Sequence, residues 1–229
     1  MTVESKTELI VAQLRKKSCM KQDVFQNTTK HFEQLKKVLS EIADDLKIKM
    51  AKSDQRIEIE YRSRGKYEAE LRFAGDVLIF QMHTNVFSFD ENHSIHKSSY
   101  VKEDELRAYC GMINIYNFLA DSIKYNRYND SGYLVARLFL NREDHFFVEG
   151  KPQFGYRYND FMNKTLSLDI LKDIIQATIL YTLDFDLLTP PYEHMKEITV
   201  HEVHELTNEM KIKTGKRLGF QFESDSDSH

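Results

Sequence analysis

The sequence predicts an α+β fold, in which an antiparallel meander sheet of about six strands carries a long N-terminal helix and two C-terminal helices packed on it. Three observations predict it. Apolar residues recur at steps of three and four through residues 25–46. They then alternate with charged residues through residues 57–73, and helical spacing returns after residue 165. Helices first, strands next and helices last puts the helices on one face or end of a sheet.

Taken in order, Ser5-x-x-Glu8 has the capping-box spacing and precedes Leu9, Ile10, Val11 and Leu14, which predicts a short helix over about residues 5–17. Asp23-x-x-Gln26 repeats the signal and opens a longer helix. Its Phe25, Thr28, Phe32, Leu35, Leu39, Ile42 and Leu46 hold a 3.5-residue period, opposite Lys30, Glu33, Lys37, Glu41 and Asp44. A stripe that narrow suits one facing helix better than a broad sheet. It marks Phe25, Phe32, Leu35, Leu39, Ile42 and Leu46 as an interface with a second copy or another protein, the competing partner being the chain's own residues 166–183.

The period then becomes two. Ile57, Ile59 and Tyr61 alternate with Glu58, Glu60 and Arg62, and after Ser63-Arg64-Gly65 the residues Tyr67, Ala69, Leu71 and Phe73 alternate with Lys66, Glu68, Glu70 and Arg72. These read as two strands, each wet on one face. Residues 77–82 are apolar on both faces and predict a central strand, with a weaker one at 86–89. Residues 90–99 are a polar loop, and Ser99 with Glu103, Asp104 and Glu105 starts a short helix. Residues 112–125 fit either period and are read as a strand, because Asn129-Asp130-Ser131-Gly132 turns into a clear strand through Leu134, Ala136, Leu138 and Leu140. Residues 146–148 and 154–158 continue the meander. Thr165 caps a helix through Leu168, Leu171, Ile174, Ile175, Thr178 and Tyr181, and a last helix runs from Tyr192 to about Lys213.

Bulk properties narrow the classes. The chain has 229 residues, 41% hydrophobic and 30% charged, with three prolines and eight glycines, which excludes disordered and collagen-like compositions. No composition shift divides it, so residues 1–223 read as one domain and the acidic 224–229 as a disordered tail. The longest apolar run falls far short of the roughly 20 residues of a membrane helix, and the N-terminus lacks a basic start followed by an apolar stretch. A cytoplasmic protein without a membrane partner is expected. Cys19 and Cys110 lie far apart, in no metal-like or redox-like spacing. A net charge of −4 argues against a surface that grips nucleic acid over its whole extent.

Three constellations carry chemistry. His194, Glu197, His201 and Glu205 share one helical stripe at steps of three, four and four, and His194, His201 and Glu205 are the candidate metal ligands of a metal-assisted hydrolase. His201 and His204 are three apart, not the four of a zinc-protease helix, and a solvated face explains the same letters. His93-x-x-His96, with Asp90, Glu91 and His83, offers a second set of ligands in a loop that reads equally as polar surface. Third, tyrosines interleave with basic residues at three turns, through Arg62, Arg64 and Tyr67, then Tyr125, Arg127 and Tyr128, then Arg157. Gathered on one edge they would track phosphates and stack on bases of single-stranded nucleic acid, although Glu58, Glu60, Glu68 and Glu70 oppose that. No GxGxxG, GxxxxGK[ST] or GxSxG pattern occurs, so no cofactor is called for.

The order helix, three strands, short helix, further strands, helix resembles that of type III secretion chaperones, which hold other proteins through non-catalytic contacts. The resemblance lies in element order alone. The reading placed first is a non-catalytic protein-interaction protein, an adaptor or homodimer, ahead of nucleic-acid binding and metal-assisted hydrolysis.

Overall fold

Ser5 caps the first helix as its spacing requires. Its side chain accepts the Glu8 N–H while the Glu8 carboxylate accepts the Ser5 N–H. In this computed structural model, which describes residues 5–150, 154, 157–185, 192, 196–201 and 203, the helix then runs without a break. Helix α1 (Lys6–Gln13) passes through one π-helical turn (Leu14–Ser18) into α2 (Cys19–Met50). The expected interruption before Asp23 is therefore corrected. No glycine or proline lies between Leu14 and Asp23, and buried Met20 and Val24 hold the chain helical through that stretch.

The sheet is a six-stranded antiparallel meander in chain order: β1 (Ile59–Ser63), β2 (Glu68–Phe73), β3 (Asp76–Met82), β4 (Gly111–Leu119), β5 (Tyr133–Leu140) and β6 (Phe146–Gly150). Gly65, at φ +101, makes the β1–β2 turn in the left-handed region that glycine tolerates. Register sets the faces. Leu71 lies opposite Leu78, Phe80 opposite Ile115, Ile113 opposite Leu138 and Leu138 opposite Val148. This face packs on α2 and on helix α5 (Leu168–Leu183) around the main core. Each fully buried Leu or Phe there contributes about 1.5–3 kcal/mol relative to exposure.

A second apolar cluster sits on the opposite face at the β4–β6 end. Met112, Phe139 and Phe147 of adjacent strands meet Ile95, Val101, Ala108 and Phe161 from the β3–β4 connection and the segment after β6. That connection carries α3 (Ser99–Glu103), capped by Ser98. Of residues 112–125, read as a strand, the part up to Leu119 belongs to β4 (Gly111–Leu119), whereas Ala120–Lys124 form the short helix α4 instead.

Other expectations are adjusted. Residues 86–89 make only an isolated bridge, Phe87 to Cys110. Of residues 154–158, the described ones belong to no strand, and the Tyr158 N–H bonds back to the Phe154 carbonyl. Ser167, not Thr165, caps α5, its side chain accepting the Ile170 N–H, while Thr165 bridges to His145. Most of the last expected helix, and the 224–229 tail, lie outside the described residues. Within it Glu197–Thr199 are not helical.

Candidate interaction surface and outer-face cleft

The structure takes the heptad seam inside the chain. Phe32, Leu35, Leu39 and Ile42 are buried against the sheet and α5, and Phe25 and Leu46 pack partly buried on the same core. The stripe is also wider than the heptad implied, because His31, Val38 and Ala43 are buried beside it. That width suits a helix lying across a sheet, so the interface reading is corrected for Phe32, Leu35, Leu39 and Ile42, whose apolar surface is covered within the chain, while Phe25 and Leu46 are covered in part.

What the body does not cover is the start of the same rod. No residue of α1 or the π turn is buried, and Leu9, Ile10 and Leu14 are 51, 59 and 53% exposed, with Val11 also exposed. Ile10 precedes Val24 by about four helical turns and would share its face in a regular α-helix. The π turn adds one residue, which swings α1 off the buried stripe by roughly 100°. Leu9, Ile10 and Leu14 line one shallow groove with Gln13, Lys17 and Lys21. Between Ser5 and Gln22 the basic residues Lys6, Arg15, Lys16, Lys17 and Lys21 face the single acid Glu8, in a chain whose net charge is −4. Lys17 and Lys21 reach back over the Tyr109 ring at 6.0 and 5.9 Å, where the rod meets the body.

The tyrosine and basic turns do not converge. The β1–β2 turn with Arg62, Arg64 and Tyr67 lies at one end of the sheet, whereas the loop with Tyr125, Arg127 and Tyr128 lies at the other, beside Gly75. Their charges are also largely engaged. Arg62 pairs with Glu60, Arg64 with the buried Glu70, and Arg157 with Asp173. Arg127 is buried beside Asp130, and Tyr67 packs on Phe25. Tyr128 is free on the surface at 89% exposure and Tyr125 at 51%. Of the candidate metal ligands, His194 and Glu205 lie outside the described residues and His201 is exposed. The break at Glu197–Thr199 removes the continuous helix on which their common stripe depended. Among the described residues no three His, Cys, Asp or Glu are grouped to hold a metal.

Two features went unread in the sequence. One is an aromatic cleft on the outer face of the sheet. Phe139 and Phe147 stack at 4.9 Å, Phe89 meets Phe139 edge-on at 5.1 Å, and His93 stacks on Phe89 at 4.7 Å. Adjoining hollows of 430 and 510 Å³ share His93, Ser94, Phe147 and Asn159 as a common wall. His93 was legible only as a candidate ligand, because Phe139 and Phe147, which complete the cluster around it, come from strands far along the chain.

The other is a polar network at the β5–β6 turn. Tyr100 donates to Glu143 at 2.8 Å, Asn141 Nδ2 donates to the Tyr100 hydroxyl at 3.0 Å, and Arg107 lies over the Tyr100 ring. Burial pushes the Tyr100 hydroxyl well up, with the Glu143 carboxylate adding to it against the Asn141 bond, so it stays protonated. Cys110 is fully buried and its thiol is likewise pushed well up, so this side chain stays a thiol at neutral pH.

Comparison of the chain with protein-family models, curated proteins and solved structures finds no match. The likeness to type III secretion chaperones therefore rests on element order alone. Among the described residues no helix is long and apolar enough to cross a membrane.

One contact in this region is sensitive to acid. His31 of α2, nearly buried, meets the Asp144 carboxylate at 2.6 Å. Burial raises the Asp144 carboxyl, but hydrogen bonds from His31 and Asn27, with the nearby His31 and Lys30, outweigh it and hold the group below its ordinary 3.8. The folded state thus binds fewer protons, so this contribution is present above the unfolded value and is lost as pH falls through the lower folded one. Asp144→Asn, which suits the left-handed φ of +64, is expected to lower the melting temperature at neutral pH. It should also flatten the acid limb of the wild-type melting curve. An unchanged acid limb assigns that sensitivity elsewhere.

Proposed function

We propose that the chain is a non-catalytic protein-interaction protein that associates with a second copy through its projecting N-terminal rod. The observation that carries this reading is the exposed apolar face of Leu9, Ile10 and Leu14 on a helix whose first buried residue is Met20. Such a face on a well-capped helix is stabilised by a facing helix. Charge selects the antiparallel arrangement. A two-fold axis at the level of residue 12 sets Ile10 opposite Leu14 of the other copy. It also separates the two Arg15-Lys16-Lys17 clusters by roughly 12 Å along the rods, beyond the ~8 Å screening length at physiological salt. Parallel rods would put those clusters side by side.

One helical seam of this length is at the small end of specific interfaces, so a dissociation constant in the micromolar range is expected. Light scattering across a concentration series should show a monomer–dimer equilibrium for the full chain. Leu9→Glu with Leu14→Glu should leave monomers whose melting temperature is unchanged, because both side chains are exposed. A wild type that stays monomeric throughout, or a dimer indifferent to both substitutions, overturns the proposal.

A further inference from the structure

The structure assigns a small-molecule site to the paired hollows beneath the loop of residues 83–98, and we propose that its ligand is a neutral, planar heteroaromatic compound. The inference is independent of the rod. Both hollows fall within the roughly 300–1,000 Å³ usual for ligand sites, and together they run along the outer face of β5 and β6. Phe139 and Phe147 give a stacked aromatic floor, and Phe89 with His93 gives an aromatic wall. Flat rings gain most against such surfaces, through stacking and edge contacts.

Polar groups at the rims exclude a plain hydrocarbon. The Ile95 N–H donates to His93 Nδ1 at 3.3 Å, so the neutral ring carries its proton on Nε2 and offers a donor in the shared wall. Asn159, exposed on that wall, can both donate and accept. A ring with donors and acceptors on its edge satisfies both.

Charge excludes an anion. Arg137 lies over the Phe139 ring at 5.7 Å but pairs with Glu149, on the rim of the first hollow. Lys97 and Asp160 both line the second. Each hollow thus carries one carboxylate and one cation, so a phosphate group would meet no net positive charge in either.

The test uses the full chain with adenosine, indole and ATP as probes, followed by ligand-observed NMR and titration calorimetry. Adenosine or indole should bind with micromolar to millimolar affinity, and ATP no tighter than adenosine. Ser94 is exposed and borders both hollows, so Ser94→Trp should fill them and weaken binding about tenfold or more, with His93→Ala weakening it as well. If Ser94→Trp fails to fold, Phe89→Ala replaces it. Absence of binding by both adenosine and indole at millimolar concentration overturns the site, as do binding that survives the substitutions and tighter binding of ATP than of adenosine.

Discussion

Leu39→Glu is expected to unfold the chain rather than to dissociate an assembly. Leu39 is fully buried in the seam between α2, the sheet and α5, beside Phe32, Leu35 and Ile42. Truncating such a leucine to alanine costs about 2–5 kcal/mol, and a carboxylate placed there without a partner costs more. Whole domains are stable by only about 5–15 kcal/mol, so one substitution removes most of the margin. Circular dichroism should show the cooperative thermal transition lost or moved far down, and Leu35→Glu should behave alike. The decisive contrast is with the rod. Glutamate at Leu9 and Leu14 leaves folding intact, whereas glutamate at Leu39 does not. Folded monomers of Leu39→Glu arising from a wild-type dimer would restore the seam to an intermolecular role and remove it from the core.

Gly111→Ala is the second large effect. Gly111 begins β4 directly beneath α2, and a Cβ there would lie 2.1 Å from Thr28 Oγ1 and 2.8 Å from both Thr28 carbons. Thr28 has no room to yield, being fully buried with its hydroxyl donating to the Val24 carbonyl at 2.7 Å. Helix and strand must separate, and overpacking of this kind costs about 1–3 kcal/mol. Thr28→Ala in the same chain should recover part of the loss, since it removes Oγ1 and one carbon but leaves the Cβ contact. Denaturant melts of the two single variants and the double variant measure the coupling. Additive losses would mean that the close approach of α2 to β4 is not what requires glycine.

Several elements were legible because their physics is local. Ser5 with Glu8 announces a cap that forms as written, and the alternation on either side of the Ser63–Lys66 turn specifies two strands whose charged residues share the face away from the main core, where Glu70 is buried against Arg64. Elsewhere local signals competed. Asp23-x-x-Gln26 has a cap's spacing but sits inside a helix already under way, where continuing costs less than starting again. Thr165 and Ser167 both suit an N-cap, and Ser167 wins while Thr165 bridges to His145. The tyrosine and basic turns looked alike in sequence, yet a meander sends alternate turns to opposite ends of the sheet.

Residue order by itself determined the fold class, the long helix and the alternation that makes a two-faced sheet, since each follows from contacts between near neighbours or from the repeat of a single element. Only the tertiary structure decided which apolar surface is used up and which remains. The heptad leucines and Leu9, Ile10 and Leu14 are equally apolar in the sequence, but the sheet and α5 lie under the former, and the π turn carries the latter off that face. The aromatic cleft has the same origin. Phe89, His93, Phe139 and Phe147 come from three separate segments, and nothing short of the strand register brings their rings together.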